Sequence, residues 1–187
     1  MSVGPSTSER ERRFAALVLP HADAAYNLAL RLTRRAEAAE DVVHDAFVRA
    51  LAGIDGQAGG DGRAWVLAIV RNRAFDWLRQ QKRRGEASLA GLADDPDADD
   101  GWDLADPDQE SPEAALIRKG EAQGLHRLID ALPPRLREVL VLREMEDLSY
   151  RQIAEITASP IGSVMSRLAR ARAQLAEAWR RSQEGVR

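Results

Sequence analysis

From Gly85 to Pro112 the chain reads GEASLAGLADDPDADDGWDLADPDQESP, rich in Asp, Gly and Pro and without a single Lys or Arg. Such a stretch cannot bury enough apolar surface to offset the entropy of ordering it, so it is expected to be a flexible acidic tether. The fold must then be built from the segments on either side, 1–84 and 113–187, each long enough for a small domain with a modest core. In both, apolar residues recur at three- and four-residue spacing and β-branched alternation is scarce, which predicts an all-α protein of two small helical domains. The leading helices fall around Glu9 to Leu19, His21 to Thr33, Glu37 to Ile54 and Arg63 to Arg84. Beyond the tether, periodicity resumes with Ser111 as an N-cap, Pro112 as the first helical residue and Glu113 near the positive helix end.

The tether also hides the charge of the rest. The whole chain carries a net charge of -3 and a pI near 5.7, yet 11 acidic and no basic residues lie between Glu86 and Glu113. Removing them leaves about +8 on the two helical parts, a balance that favours a polyanion partner. Chemistry is poorly provided for. There is no cysteine, so neither a disulfide framework nor a thiolate metal site is expected. The histidines His21, His44 and His126 are scattered, and GQAGGDG lacks the lysine of a phosphate-cradling loop. No enzyme activity, metal or cofactor is expected. No run approaches the roughly 18 apolar residues of a membrane span, which suggests a soluble, cytoplasmic chain without membrane insertion.

In the second part, LSYRQIAEITASPIGSVMSRLARARAQL reads as two helices and a tight turn. Ser149 and Gln152 form a capping box, and Leu148 can staple onto Ile153, so the first helix starts at Tyr150 and should stop near Thr157. Ser159 as cap and Pro160 at the first position would open the second. Ile161, Val164, Leu168, Ala171 and Leu175 make a buried stripe on it. At 100° per residue, Gly162, Ser163, Ser166 and Arg170 lie opposite, flanked by Met165 and Arg167. Small residues at the start and cations further on suit a helix whose N-terminal end enters the DNA major groove; the alternative is a helical hairpin with a polar exterior.

At these residues the chain resembles the extracytoplasmic-function class of bacterial sigma factors, in the sigma-70 family. The match is to the region 4 pattern L-S-Y-x-E-I-A-E-x-x-x-x-P-x-G-T-V-x-S-R-x-x-R-A-R, and ALPPRLREVLVLREMEDLSY upstream continues it. Gln152 stands where Glu is frequent, Ser163 where Thr is, and Met165 where Lys or Arg often is. The resemblance implies that Arg143, Ser163, Met165, Ser166, Arg167 and Arg170 lie at or near the promoter's minus-35 element, with a structural role as the alternative for Arg167.

In the first part, EAAEDVVHDAFVRAL sets Val42, Val43, Ala46, Phe47, Ala50 and Leu51 on an apolar face and leaves Glu40, Asp41, His44 and Asp45 as an acidic surface. By itself that is an ordinary solvated face. It also resembles D-A-E-D-L-V-Q-E-x-F-x-R-A of sigma region 2, which implies that Glu40, Asp41, His44, Asp45 and Phe47 dock on the β′ clamp helices of core RNA polymerase. In GRAWVLAIVRNRAFDWLRQQKRR, the residues Trp65, Ile69, Val70, Ala74, Trp77 and Leu78 form an apolar stripe among Arg71, Asn72, Arg73, Arg79, Lys82, Arg83 and Arg84. Aromatics mixed with cations suit separated DNA strands, although a core role for Trp65 and Trp77 is the simpler reading. The stretch resembles F-x-x-W-L-x-x-I-x-x-N-x-x-x-D-x-x-R, with Arg63 or a neighbour at the initial aromatic. That implies minus-10 contacts from Arg63, Trp65, Arg71, Asn72, Arg73, Trp77 and Arg79, beside the loop GIDGQAGGDGR.

Two patterns in one order around a tether favour an initiation factor that binds core polymerase through the first module and the β flap through the second, as a monomer, with an anti-sigma protein as a further partner. A stand-alone helix-turn-helix regulator would instead bind duplex DNA tightly by itself, as a dimer on a palindrome. An interaction protein would show negligible promoter dependence. An anionic tether could thread a basic channel that holds RNA. Replacing its aspartates with serine is therefore expected to change initiation in a run-off assay while core binding is largely retained.

Overall fold

A computed structural model describes residues 7–57, 59–86 and 124–184. The tether and the Ser111–Glu113 helix start lie outside them, except that Gly85 and Glu86 close a helix. Among the described residues there are helices and no strand. In chain order they are α1 (Thr7–Leu17), α2 (Ala22–Thr33), α3 (Ala36–Gly53), α4 (Gly62–Glu86), α5 (124–130), α6 (Pro134–Leu140), α7 (Tyr150–Thr157) and α8 (Ile161–Glu184). Short 3-10 turns at Leu19–His21 and Ile54–Gly56 and a π-helical turn at Val141–Met145 link some of them.

The first module packs α2, α3 and α4 against one another, with α1 laid across α3. Phe14 of α1 meets Phe47 of α3 edge to face, ring centroids 5.9 Å apart. Asp61 starts α4: its Oδ1 accepts from the N–H groups of Arg63 (3.0 Å) and Ala64 (3.3 Å), and its carbonyl accepts the first helical bond, from Trp65. Gly62 follows because a side chain there would lie 3.1 Å from the Leu17 carbonyl oxygen.

In the second module the capping box forms as the sequence requires: Ser149 Oγ accepts from the Gln152 N–H at 3.3 Å, and Gln152 Oε1 accepts from the Ser149 N–H at 2.9 Å. Leu148 and Ile153 are buried. α7 ends at Thr157, and Ala158 takes up the left-handed conformation at φ 49°. The next helix departs from expectation by one residue. The Pro160 carbonyl accepts from Ser163 and Val164, so Pro160 is the cap and Ile161 the first residue. The Ser159 hydroxyl instead donates to the Thr157 carbonyl. Consequently Val164, Leu168 and Ala171 are buried, whereas Ile161, expected in the stripe, is exposed.

The larger difference concerns the cores. The sequence predicts two modest ones, but the buried residues of both modules form one contiguous cluster. α4 packs on α2 and α3 at one side and on α7 at the other, and α2 also meets α6. This two-sided burial explains why Leu67 and Phe75, outside the expected stripe of α4, are buried, while Trp65, Ile69, Trp77 and Leu78 are only partly so.

The turn chemistry yields paired expectations for thermal melts. Ser149→Ala loses the cap and should destabilise by about 1 kcal/mol. Ala158→Gly relieves a left-handed alanine and should stabilise by up to about 1 kcal/mol.

Candidate nucleic-acid and polymerase interface

The outer face of α8 is the more open of the two candidate DNA surfaces. Gly162, Met165, Ser166 and Arg170 are exposed and Ser163 is half-buried, with Met165 at 52% exposure in the middle of the face. The Ser166 hydroxyl donates to the Ser163 carbonyl at 3.0 Å and stays at the surface. Two arginines assigned to this site are tied into the fold. Arg167 donates to Ser159 Oγ at 3.0 Å, binding α8 to the turn before it. Arg143 donates to the Leu148 carbonyl at 2.8 Å, with its guanidinium 5.4 Å from the Tyr150 ring centroid, so it braces the loop that leads into α7.

α4 divides its candidates between two sides. Arg71 and Arg73 are two residues apart, hence about 200° apart around the helix. Arg73 turns to α3, where it donates to Asp45 at 2.6 Å and to Asp76 at 3.0 Å; the bond to Asp45 is the main reason its pKa is raised. Asp76 also accepts from Arg79. With Asp41, Val42, His44, Trp77, Gln80 and Arg83 these residues line an open cleft of about 710 Å³ between α3 and α4. The expected polymerase contacts and part of the expected minus-10 contacts thus share one cleft. Glu40, Asp41, His44 and Asp45 are exposed, whereas Phe47 is turned inward onto Phe14.

Arg71 turns the other way. Its Nε donates to Glu138 Oε2 at 2.8 Å, its Nη1 donates to Asn72 Oδ1 at 3.1 Å, and its guanidinium sits 4.4 Å from the Phe75 ring centroid. Glu138 is completely buried; burial pushes its carboxyl up, and the bond from Arg71 pulls it back down. One helical turn before Leu67, Arg63 Nη2 donates to Glu146 Oε2 at 2.5 Å. Trp65 is half-buried against the core, while Asn72 is exposed.

Asp76, Glu138 and Glu146 were not among the residues singled out from sequence. Asp76 was legible: Arg73, Asp76 and Arg79 follow one another at three-residue steps, where side chains on a helix meet. The two glutamates carry no local signal, since their partners lie 67 and 83 positions away in the chain.

Comparison with known proteins identifies the family. Residues 17–84 match the family model for sigma-70 region 2, and residues 122–175 match that for sigma-70, region 4. Over 164 residues the chain is 37% identical to the RNA polymerase sigma-H factor of Pseudomonas aeruginosa, an alignment that covers 87% of this chain and 83% of that protein. Over 133 residues it is 34% identical to the ECF RNA polymerase sigma-E factor of Escherichia coli K12, covering 71% of this chain and 69% of that one. The chain belongs to the sigma-70 family, in its extracytoplasmic-function class. As a sigma factor it serves promoter-specific transcription initiation by RNA polymerase. Its fold matches that of the sigma factor RpoE of Bartonella quintana, solved with the anti-sigma factor NepR, at a TM-score of 0.68 and 25% identity, covering 89% of this chain and 96% of that one. Among its described residues, no helix is long and apolar enough to cross a membrane.

Asp76 anchors two cations of this sigma factor in an exposed cluster. Asp76→Asn should therefore change stability by no more than about 1 kcal/mol. Binding to single-stranded DNA should tighten and become steeper in salt by at most about one released counterion, as read from affinity titrations at several salt concentrations.

Proposed function

We propose that this sigma factor reads the minus-35 element with the outer face of α8 and the minus-10 element with α4, while the acidic face of α3 docks on the β′ clamp helices. The observation that carries this reading is the exposure of Gly162, Met165, Ser166 and Arg170 along one face of a capped, buried-stripe helix. A face that is small at its start and cationic one turn later can enter the major groove and still reach a phosphate or guanine. Met165 at its centre offers an apolar contact, suited to a thymine methyl, in place of a cation.

On α3, Glu40, Asp41, His44 and Asp45 present exposed acceptors to a basic partner. On the second module, Leu125, Ile129, Leu140, Val141, Met145 and Leu175 line an open apolar groove of about 360 Å³ beside the pair Glu144 and Arg172. An exposed groove of that character suits the β flap, the polymerase element assigned to this module. An anti-sigma protein is a further partner, supported by the match to a sigma factor captured with one.

Run-off transcription from a genomic promoter library, with bacterial core polymerase and with or without the chain, tests the assignment. Transcripts sharing a two-element motif should depend on the chain. Arg170→Ala should reduce them severalfold with an unchanged melt, through loss of a base contact worth about 1–3 kcal/mol or of about one unit of salt slope. Arg167→Ala should lower the melting temperature as well, because it frees the Ser159 turn. Specific duplex binding by a dimer of the chain, without core-dependent transcripts, would favour the stand-alone regulator.

A further inference from the structure

The loop that leads into α4 stands on α1 at both of its ends. At its start, Arg13 Nη2 donates to the Gln57 carbonyl at 2.7 Å. At its finish Gly62 approaches Leu17, one turn further along α1, so closely that an added Cβ would lie 3.1 Å from the Leu17 carbonyl oxygen. Between these points Gly59 and Gly60 are exposed, at φ 117° and 110°, a region that residues with side chains seldom enter. Gln57 carries the fixed end inward: its Nε2 donates to the Gly59 carbonyl at 3.2 Å. Arg10, one turn earlier on α1, grips the neighbouring helix instead. Its Nη2 donates to the Leu51 carbonyl at 3.0 Å, in the last turn of α3, and its Nε stands 3.1 Å from Asp55 Oδ2. Asp55 Oδ1 is in turn 3.9 Å from Arg13 Nη1. The region 2 match starts at residue 17, so α1 lies ahead of the matched residues but for Leu17.

We propose that Arg13 is a positioning residue for minus-10 recognition: its bond to the Gln57 carbonyl holds the glycine loop in the shape that receives an unpaired base. The proposal rests on the assignment of α4 to the minus-10 element, and adds to it the loop at the head of that helix. Arg13 acts through Gln57 and not on the DNA, since its half-buried guanidinium has Nη2 committed to that carbonyl. A loop with two glycines at positive φ samples many shapes when free, and ordering it on DNA costs free energy. Clamping it on α1 beforehand removes that cost. Shape also decides selectivity. Exposed Gly59 and Gly60 let a base come close to the backbone, whose N–H and C=O groups distinguish base edges by their donor and acceptor pattern. A loop free to rearrange satisfies the wrong base nearly as well as the right one, whereas a clamped loop leaves the wrong base with unpaired groups.

The test is base preference, which a merely structural contact would not move. A promoter found by the run-off assay is randomised through its minus-10 element, each template carrying a downstream barcode, and transcribed with core polymerase and the full chain. Sequencing the transcripts gives the preference at every position. Arg13→Ala should level the preference severalfold at the position the loop reads. Arg13→Lys, which keeps a cationic donor for the Gln57 carbonyl, should recover most of it. The Arg13 side chain is 29% exposed, and its loss leaves Phe14 of α1 packed on Phe47. Arg10→Ala is the control: it also removes a bond from α1 to the backbone and should lower the melt by a similar amount, yet keep the base preference. Loss of preference in Arg10→Ala as large as in Arg13→Ala would overturn the positioning role, because general loosening of α1 would then account for both. A Gly59→Ala, Gly60→Ala chain separates the clamp from the loop. It should lose preference at the same position as Arg13→Ala. Loss there with a wild-type pattern in Arg13→Ala would overturn the clamp alone. A wild-type pattern in the glycine variant and in Asn72→Ala would overturn the minus-10 assignment, and the clamp with it.

Discussion

The completely buried Glu138 carboxylate, paired with Arg71 of a helix 67 positions away, sets how the two halves of the molecule meet. Burying an ion pair adds little net stability, because desolvating two charges offsets most of their attraction. Removing one partner is another matter, costing about 3–5 kcal/mol by leaving a charge unpaired in a dry place. The pair therefore selects one docking geometry against others more than it strengthens it. Its neighbour works with the opposite sign. Arg137, also buried and pushed down to about 10 by loss of solvent, places its guanidinium over carbonyls at the end of α2 and over that of Leu132. Consecutive residues of α6, one anionic and one cationic, are thus each satisfied on a different helix of the first module, which fixes α6 in both rotation and position.

That constraint goes with the packing of α4 on two sides. Helical geometry sends Arg71 and Arg73 to opposite sides, so one run of cations cannot form one patch. Arg73 and Arg79 join the acidic residues of α3 through Asp76, while Arg63 and Arg71 are held by the second module. The acidic residues of α3 and the cations Arg73 and Arg79 of α4 share the cleft beside Asp45, where the Asp45–Arg73 contact joins the two helices.

Local chemistry was legible wherever its partners are close in sequence. The capping box at Ser149 and Gln152, the end of α7 at Thr157 and the outward Ser166 and Arg170 all follow from spacing within a few residues. Ser159 was misread as a cap because its hydroxyl had a stronger use in the turn, between the Thr157 carbonyl and Arg167. Ile161 fell out of the predicted stripe because the helix begins there, where the periodic face is not yet covered. Phe75 and Leu67 were missed because a single amphipathic stripe describes a helix packed on one side, and α4 is packed on two.

The sequence by itself determined that the chain is helical, that two modules flank an acidic segment, and that they carry the sigma region 2 and region 4 patterns in that order. Periodicity, caps and charge segregation act over a few residues and leave their mark in the order of the letters. Only the tertiary structure decided that the two modules share a core, that Arg63 and Arg71 face glutamates, and that Gln152 answers Asp61. Those contacts join residues 67 to 91 positions apart. The free energy of such a pairing depends on burial and mutual orientation, which no local pattern encodes.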